Sequence, residues 1–514
     1  MRAWLHTKLR ENKKVGPFIL CFCIGAFLRA YKFWLPDVWL DEYGTWWVVS
    51  APTWSETARR AIDFQGQSPF YFLIVKSFTT LSTESAFQLR LPSVLFGILT
   101  LPVTLRLAWQ IFRDQDIALA SLAVFSINEP LIWFSQNARP YALALFLALL
   151  SISLYLDFLK SPRALQSVLY AVPTALLIYA HFLFGFLLLF QIVYAAFKLG
   201  WRTLLSKYWL LTLAWISLFC LPLSGQIVHL YERRQALDWI PHIVQSIQAS
   251  SLARSFTDPW ALIISTAVLL IIGVKPINLR EKPTREALGF LFSWLCFPLL
   301  GIWLVAQVIG VSFFEPRYIL FVYPSVFFLW TWLLLHSKRT DGLRWLPLSV
   351  FLTTTFAVSL IPNLIESGTF RHSEKLGWAD AANTLMAEGR PGDLVIFYSA
   401  FIEADLFAGK PNDPYLLSYV GWPLIAHLPP KHSFILASLP FLQDDRTDPY
   451  IQSLVTQASK HARVWVIGPD QQREYFDDKL VTQFHFHPSY RYLSNNIVKV
   501  VLLGRPISTP WPVD

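Results

Sequence analysis

Two adjacent carboxylates follow the first apolar stretch of the sequence. Asp41 and Glu42 lie between aromatic residues, a few positions after that stretch ends. A hydroxyl group that attacks a sugar C1 must lose its proton to a base, and a carboxylate can serve as that base. A phosphate leaving group needs no general acid, so one carboxylate suffices for inverting transfer, unlike the paired acids of glycosidases. The alternative is a solvated acidic turn at a membrane surface.

Three arginines lie beside later apolar stretches. Arg90 precedes the second stretch, Arg139 belongs to the string 135–141 (SQNARPY), and Arg317 precedes a late stretch. A guanidinium group can bind a phosphate through two parallel hydrogen bonds. The alternatives are a snorkelling side chain at a helix end for Arg139 and a simple ion pair for Arg317. The polar residues that complete the candidate substrate-binding set are Gln136, Tyr141, His181 and Tyr318.

The apolar stretches that carry these residues predict a membrane protein. The 514-residue chain is 54% hydrophobic and only 15% charged, whereas soluble domains carry about 25% charged residues. Each stretch is near the roughly 20 residues that cross a bilayer core. The eleven predicted spans are 15–34, 91–112, 117–134, 140–158, 165–180, 182–198, 208–224, 258–274, 287–308, 318–335 and 345–362.

The basic residues assign a side to each loop. Short loops rich in Lys and Arg stay in the cytoplasm, which applies to Lys13 and Lys14 and to the later basic loops, among them 198–207 and 275–285. The run 165–197 has basic flanks on both sides, so it must cross twice and turn near His181, where a histidine with an ordinary turn hydrogen bond is the alternative. The N-terminus is then cytoplasmic and the C-terminus extracytoplasmic.

The same charge pattern predicts that the segment 69–82 does not cross the membrane, because a crossing there would place the later basic loops up to Lys207 on the outer side. It is short and carries Lys76, so we predict an interfacial helix or a half-buried hairpin within a first outer loop at 35–90. Asp41 and the three arginines then share the outer face. Polar groups gathered at one membrane face indicate a substrate site more often than packing.

The tail 363–514 has a different character. It shows helical periodicity at 373–388 and β-rich runs at 393–398, 433–438, 463–467 and 497–503, separated by Gly and Pro. We therefore predict an all-α membrane domain at 1–362, followed by an extracytoplasmic α/β domain at 363–514.

Several function classes are disfavoured by the sequence. The net charge of +9 comes largely from the basic loops, so nucleic acid is not an expected partner. The phosphate-binding loop, the dinucleotide fingerprint and the zinc-protease motif are absent. The four cysteines lie in apolar spans without metal-ligand spacing. We predict no cofactor and no metal ligands, and metal dependence stays open.

These strings resemble the GT-C superfamily of polytopic glycosyltransferases, in particular the protein O-mannosyltransferase and lipid A aminoarabinose transferase group. Asp41-Glu42 matches the acidic pair after the first helix, and residues 68–73 (SPFYFL) are similar to a PPLYYLL-like segment. The string 84–97 is similar to the family's entry into the next helix, and 135–141 resembles its SQEARPY-like string, with Asn137 where glutamate is common. The strings 179–182 (YAHF) and 317–318 (RY) resemble its YTHY-like turn and its late RY pair.

The resemblance implies an inverting glycosyltransferase with a dolichyl- or undecaprenyl-phosphate sugar donor, either a hexosyl- or a pentosyltransferase. It implies that Asp41 is the base and that Arg90, Arg139 and Arg317 serve the donor phosphate or the charge balance of the site. The acceptor is a hydroxyl group of a protein, lipid or glycan. The alternatives are a transporter or flippase of lipid-linked sugars, for which the sequence lacks midplane charges and inverted repeats, and a non-catalytic scaffold.

Overall fold

The computed structural model describes residues 15–79, 85–232, 257–311, 313–338, 342–373, 375–442, 444–469, 476, 480–482, 487–492 and 497–504. The chain divides into two compact units. The first, here called the helical unit, comprises residues up to 35 together with 52–372, and the second, the sheet unit, comprises 36–51 together with the residues from 373 onward. The predicted cytoplasmic Lys13 and Lys14, and Glu84 of the string at 84–97, lie outside the described residues.

Helices dominate the described part of the chain. In order they are α1 (Val15–Ala30), α2 (Leu40–Val49), α3 (Trp54–Asp63), α4 (Phe70–Phe78), α5 (Ser85–Phe112), α6 (Gln115–Ile127), α7 (Glu129–Ser135), α8 (Tyr141–Lys160), α9 (Ala164–Ala180), α10 (Phe186–Leu199), α11 (Lys207–Cys220), α12 (Ser224–Glu232), α13 (Pro259–Ile272), α14 (Lys282–Ile309), α15 (Tyr323–Leu334), α16 (Leu346–Thr355), α17 (Ile361–Ser367), α18 (Trp378–Glu388), α19 (Pro414–Val420), α20 (Trp422–Ile425) and α21 (Asp448–Ala458).

The helical unit contains apolar helices at every predicted span. Within the described residues, six helices are long and apolar enough to cross a membrane, and the pair α6 and α7, bent by 61°, makes a seventh if it forms one span. Four shorter apolar helices, α1, α9, α13 and the helix at 320–334, coincide with the remaining predicted spans. The chain is thus an integral membrane protein by its helices, and the count of eleven crossings stays a prediction.

Two breaks between apolar helices shape the unit. The side chain of Asn128 accepts a hydrogen bond from the Leu131 N–H, which caps α7 and fixes the bend after α6. The second break is at His181, whose extended backbone (φ −159°, ψ 116°) ends α9, and a 3₁₀ turn at Phe182–Gly185 then leads into α10. The predicted turn in the run 165–197 is therefore found at His181.

The segment predicted to lie at the interface forms the short helix α4. Its nine residues span only about 13 Å at 1.5 Å per residue, well below the thickness of a bilayer core. Its position at the membrane surface stays a prediction.

The sheet unit is built on a five-stranded sheet with the order β2-β1-β3-β5-β4. The strands are β1 (Leu394–Phe397), β2 (Ile435–Ser438), β3 (Arg463–Pro469), β4 (His487–Tyr492) and β5 (Val498–Gly504). β1 pairs in parallel with β2 and β3, whereas β5 pairs antiparallel with β3 and β4. All four predicted β-rich runs form strands. The sequence analysis missed β4, an edge strand with the polar, proline-containing sequence HPSYRY, and edge strands tolerate this composition.

Helix α2, which carries the acidic pair, belongs to the sheet unit. The Trp47 indole N–H donates to Ser418 Oγ at 3.2 Å, and its ring lies 4.9 Å from that of Tyr419. One Asp37 carboxylate oxygen accepts hydrogen bonds from the backbone N–H groups of Leu376 and Gly377. The predicted outer loop at 35–90 is thus divided between the two units, and the chain returns to the sheet unit after residue 372, near the predicted domain boundary at 362.

Candidate functional site

The candidate substrate-binding residues of the helical unit cluster at connections between helices. Arg139 lies between α7 and α8, His181 lies at the break after α9, and Arg317 lies between α14 and α15. The ring of His181 is 5.9 Å from that of Tyr141 and 5.5 Å from that of Tyr318. Three helix connections that are far apart in sequence therefore meet around one histidine.

Arg317 completes one side of this cluster. Its guanidinium carbon lies 5.4 Å from the centre of the Tyr318 ring, which is within cation–π range. Its Nε atom is 3.7 Å from a carboxylate oxygen of Glu315. The ion pair that was the alternative for Arg317 is therefore present, and the same guanidinium also lies over a ring that contacts His181.

Arg139 is held on the other side by a residue that the sequence analysis did not select. Arg139 is only 6% exposed, and its Nη1 donates to Gln65 Oε1 at 2.7 Å. The Arg139 backbone carbonyl accepts a hydrogen bond from Ser93 Oγ, which is itself hydrogen-bonded to the Tyr71 hydroxyl at 2.8 Å. These contacts fix the guanidinium inside the protein, unlike the expected alternative of a snorkelling side chain.

His181 is neutral in this environment. Burial, together with the nearby positive charges of Arg139 and Arg317, lowers its pKa to about 3. Its Nδ1 atom is buried and has no hydrogen-bond partner within the described part of the chain. A neutral imidazole that has an unsatisfied nitrogen and is influenced by two nearby cations is suited to bind a polar ligand rather than to carry charge.

Asn137 is a second residue with unsatisfied polar atoms. It is fully buried, and neither its amide nitrogen nor its amide oxygen has a hydrogen-bond partner in the ranges that the structure describes. A buried amide without partners costs stability, so this side chain is unexplained by packing alone. Asn137 replaces the glutamate that is common in the resembling string, and the sequence analysis left it without a role.

The side chains of Arg90 and Gln136 bind backbone carbonyls at and after the end of α1. Arg90 Nη1 donates to the Phe33 carbonyl at 3.0 Å, and Gln136 Nε2 donates to the carbonyls of Leu28 and Arg29. The last carbonyls of a helix lack intrahelical partners, so these two side chains hold the end of α1 and the chain that follows it.

Arg371 extends this anchoring network, and the sequence analysis did not identify it. Its Nη1 donates to the Gln136 carbonyl at 2.9 Å, although the two residues are 235 positions apart. No local pattern in the sequence predicts such a contact. Gln65 and Tyr71 are likewise recognisable only by their long-range partners.

The acidic pair lies in the sheet unit. Glu42 is fully buried, and its carboxylate accepts a hydrogen bond from the Trp39 N–H at 3.2 Å, as an acid in the first turn of a helix does. Asp41 is partly exposed. Of the two predicted catalytic carboxylates, Asp41 is therefore the one that remains accessible, and Glu42 stabilises the start of α2.

Aromatic rings and a histidine surround the next turn of α2. The Tyr43 hydroxyl is hydrogen-bonded to His427 Nε2 at 2.9 Å. The Trp46 ring lies 5.8 Å from that of His427 and 6.2 Å from that of Trp422. Burial lowers the pKa of His427, and the negative charge of Asp37 opposes this shift. These contacts fix α2 in the sheet unit and thereby fix the backbone that carries Asp41.

No group of three or more His, Cys, Asp or Glu side chains in the described residues is arranged to hold a metal ion. Neither protein-family models nor curated proteins match the sequence.

Solved structures of membrane glycosyltransferases match the fold. The oligosaccharyltransferase of Archaeoglobus fulgidus in its apo form has a TM-score of 0.54 at 11% identity, covering 92% of this chain and 72% of its own. ArnT from Cupriavidus metallidurans bound to undecaprenyl phosphate also has a TM-score of 0.54 at 11% identity, covering 96% of this chain and 98% of its own. The apo state of ArnT gives 0.53 at 12% identity, with 95% and 96% covered.

At these identities the comparison establishes the fold. The likeness to ArnT covers 96% of this chain. The chain therefore has the fold of the GT-C membrane glycosyltransferases, which confirms the resemblance inferred from its sequence strings.

Proposed function

We propose that the protein is an inverting glycosyltransferase that moves a sugar from a polyprenyl-phosphate donor to a hydroxyl acceptor at the outer membrane face. The GT-C fold supports glycosyl transfer as the reaction class. The observation that carries the proposal is the group formed by Arg317, Tyr318, Tyr141 and His181, with Arg139 near enough for its charge to act on His181, whose Nδ1 atom is unsatisfied.

This cluster suits a phosphate that leaves a sugar. Negative charge develops on the phosphate as its bond to C1 breaks, and cations that are already fixed stabilise that charge without reorganising. Gln65 supplies this fixation for Arg139, and the Tyr318 ring supplies it for Arg317. ArnT from Cupriavidus metallidurans binds undecaprenyl phosphate, and the apolar helices here suit a polyprenyl chain in the same way.

The reaction that we propose is a single displacement. The Asp41 carboxylate takes the proton of the acceptor hydroxyl as its oxygen forms a bond to C1 of the sugar. The bond between C1 and the phosphate oxygen breaks, and the phosphate leaves with the electron pair. Because attack and departure occur on opposite faces of C1, the configuration inverts.

The remaining predicted residues take supporting roles in this proposal. Tyr141 and Tyr318 form the walls around His181, and the buried amide of Asn137 offers a donor and an acceptor to sugar hydroxyls. Arg90 and Gln136 position the end of α1 and the chain that follows it. Glu42 holds the first turn of α2, so that its neighbour Asp41 keeps a fixed backbone.

The test is a transfer assay with purified full-length protein and a panel of polyprenyl-phosphate sugars. Release of the sugar, or its transfer to a hydroxyl acceptor, identifies the donor. Asp41→Asn should then reduce transfer by at least 10²-fold, since a general base contributes 10²–10⁴-fold, with donor binding within about twofold of the parent protein. Asp37→Asn is the matched control, because Asp37 is an acid of the same segment that binds backbone N–H groups.

Two outcomes would contradict the proposal. Full transfer activity in Asp41→Asn would remove Asp41 as the base. Movement of intact donors across a proteoliposome bilayer, without cleavage of any donor in the panel, would instead favour a transporter or flippase.

A further inference from the structure

A cavity with a basic wall lies in the helical unit, at the helix ends opposite to the candidate substrate site. Its volume is about 410 Å³, and it lies among the final residues of α5, α8 and α10 and the first turns of α14. The charged residues in its wall are Arg113, Lys160, Lys198, Lys282 and Glu286. Four basic residues and one acidic residue give the wall a net charge of +3.

The positive charge of this cavity is only partly compensated. Lys198 Nζ lies 3.1 Å from Glu286, and Lys282 Nζ lies 3.9 Å from the same carboxylate. Arg113 and Lys160 have no ion pair with any residue that the structure describes. The nearby Asp157 carboxylate is bound to Arg106 and to Gln110 Nε2. Arg113 and Lys160 therefore line the cavity without a directly bonded counter-ion among the described residues, and the Asp157 carboxylate acts on Lys160 only from a longer distance.

The backbone of Arg113 is unusual for an arginine. Its φ of 56° lies in the left-handed region, and its N–H bonds to the Trp109 carbonyl as the residue after a helix end does. Glycine is the common residue in this position because a Cβ atom costs about 1 kcal/mol there. An arginine at this position places a cation at the end of α5 in spite of that cost.

The other walls of the cavity are apolar. They include Ile111, Leu156, Leu159 and Phe290. Leu199 lines the cavity and is 43% exposed, and Phe197 on the same helix is 79% exposed. The apolar surface thus continues from the cavity onto the outer face of α10. A ligand that fits both parts has an anionic head and hydrocarbon chains.

This cavity is distinct from the candidate substrate site. Tyr141 begins α8 beside His181, and Lys160 ends the same helix in the wall of the cavity. Nineteen residue steps at 1.5 Å correspond to about 28 Å, close to the thickness of a bilayer core. The two sites therefore lie at opposite ends of the same helices, and the positive-inside pattern assigns the cavity to the cytoplasmic face.

We propose that this basic cavity binds the phosphodiester headgroup of an anionic glycerophospholipid from the leaflet opposite to the candidate substrate site. Arg113 and Lys160 hold the phosphate, and the acyl chains lie along α10. Basic pockets between transmembrane helices recognise anionic lipid headgroups in this way. The proposal does not depend on the proposed transfer reaction, because none of its residues belongs to the candidate substrate site.

The experiment measures lipid binding to purified full-length protein in mixed micelles by native mass spectrometry. The probes are phosphatidylglycerol, zwitterionic phosphatidylcholine and inorganic phosphate. Each basic residue contributes about fivefold to the affinity for an anionic lipid. The double variant Arg113→Gln/Lys160→Gln should therefore bind phosphatidylglycerol about 25-fold more weakly, with phosphatidylcholine binding unchanged.

The matched control is Lys275→Gln/Arg280→Gln. It removes the same charge from exposed residues of the loop before α14, outside the cavity, and should change phosphatidylglycerol binding by less than twofold. An equal loss in both double variants would overturn the proposal in favour of diffuse charge attraction. Competition by inorganic phosphate as strong as that by the lipid would also overturn it, because a soluble anion would then be the ligand.

A variant that is expected to bind more tightly distinguishes loss of the site from misfolding of the protein. Glu286→Gln removes the acidic residue of the cavity wall and releases Lys198 and Lys282 from their shared partner. Phosphatidylglycerol binding should become about fivefold tighter, which a damaged protein cannot produce. Unchanged or weaker binding of phosphatidylglycerol in this variant would contradict the proposed site.

Discussion

Replacement of Arg139 tests the proposed donor site most directly. Arg139 is 6% exposed, so solvent screens its interactions little. Hydrogen bonds to charged groups contribute about 1.5–3 kcal/mol each, and every 1.4 kcal/mol changes an affinity tenfold. Loss of one such bond to the donor phosphate in Arg139→Gln should therefore weaken donor binding by about 10- to 150-fold.

A lysine at the same position separates charge from geometry. Arg139→Lys keeps the positive charge but loses the planar fork, of which one nitrogen donates to Gln65 at 2.7 Å. Donor binding should then fall by about tenfold, between the parent protein and Arg139→Gln. Gln65→Ala should give a smaller loss of the same kind, because it leaves the guanidinium present but less firmly held.

The assay is equilibrium binding of undecaprenyl phosphate to purified protein in detergent. Arg344→Gln is the matched control, because Arg344 is a partly exposed arginine of the helical unit that pairs with Asp116 at 3.3 Å, away from the cluster. Its donor affinity should stay within twofold of the parent value. A donor affinity of Arg139→Gln within twofold of the parent value would refute the proposed role of Arg139, and so would an equal loss of affinity in Arg139→Gln and Arg344→Gln.

Three further predictions concern the supports of the site. Gln136→Leu removes two hydrogen bonds to the last carbonyls of α1 and should lower stability by about 2 kcal/mol, seen as a lower thermal unfolding temperature than in Gln452→Leu, a partly exposed control. Gly97→Ala places a methyl group against the Ser135 side chain and should cost about 1–3 kcal/mol by overpacking, whereas Gly289→Ala, which meets open space, should cost nothing in the same measurement. Burial lowers the pKa of His427 in the folded protein, so the neutral imidazole contributes its full stability above the ordinary histidine pKa of about 6.5, and this contribution is lost as the pH falls below that value. His427→Gln should therefore reduce the loss of stability on the acid side. An unchanged dependence of stability on pH in this variant would contradict the prediction.

Much of the fold could be predicted because the membrane acts on local sequence. Hydropathy depends only on the residues of a stretch, so each predicted span coincides with an apolar helix. The turn at His181 was also predictable, because the basic residues on both sides of 165–197 require two crossings. The four β-rich runs of the tail were predictable from their local composition, and each forms a strand. β4 could not be predicted in the same way, because an edge strand needs no continuous apolar run.

The candidate site was predictable in its residue types but only partly in its contacts. The rings of Tyr141 and Tyr318 lie beside His181, and Arg317 lies over the Tyr318 ring, while the role of these residues in substrate binding stays a prediction. Arg90 and Gln136 have the right types and the expected positions, yet their side chains bind backbone carbonyls at the end of α1. A guanidinium or an amide serves a phosphate and a carbonyl equally well, so residue type alone does not distinguish the two uses.

Local sequence specifies which segments are apolar, where they break and which chemical groups stand near those breaks, because solvent and chain stiffness act on neighbouring residues. Long-range packing specifies that Gln65 holds Arg139, that Arg371 donates to the Gln136 carbonyl, and that α2 with Asp41 belongs to the unit of residues 373 onward. It also specifies that four helix ends enclose a basic cavity. These contacts join residues from 74 positions apart, for Gln65 and Arg139, to 371 positions apart, for Trp47 of α2 and Ser418, and the packing that selects them has no local pattern in the chain.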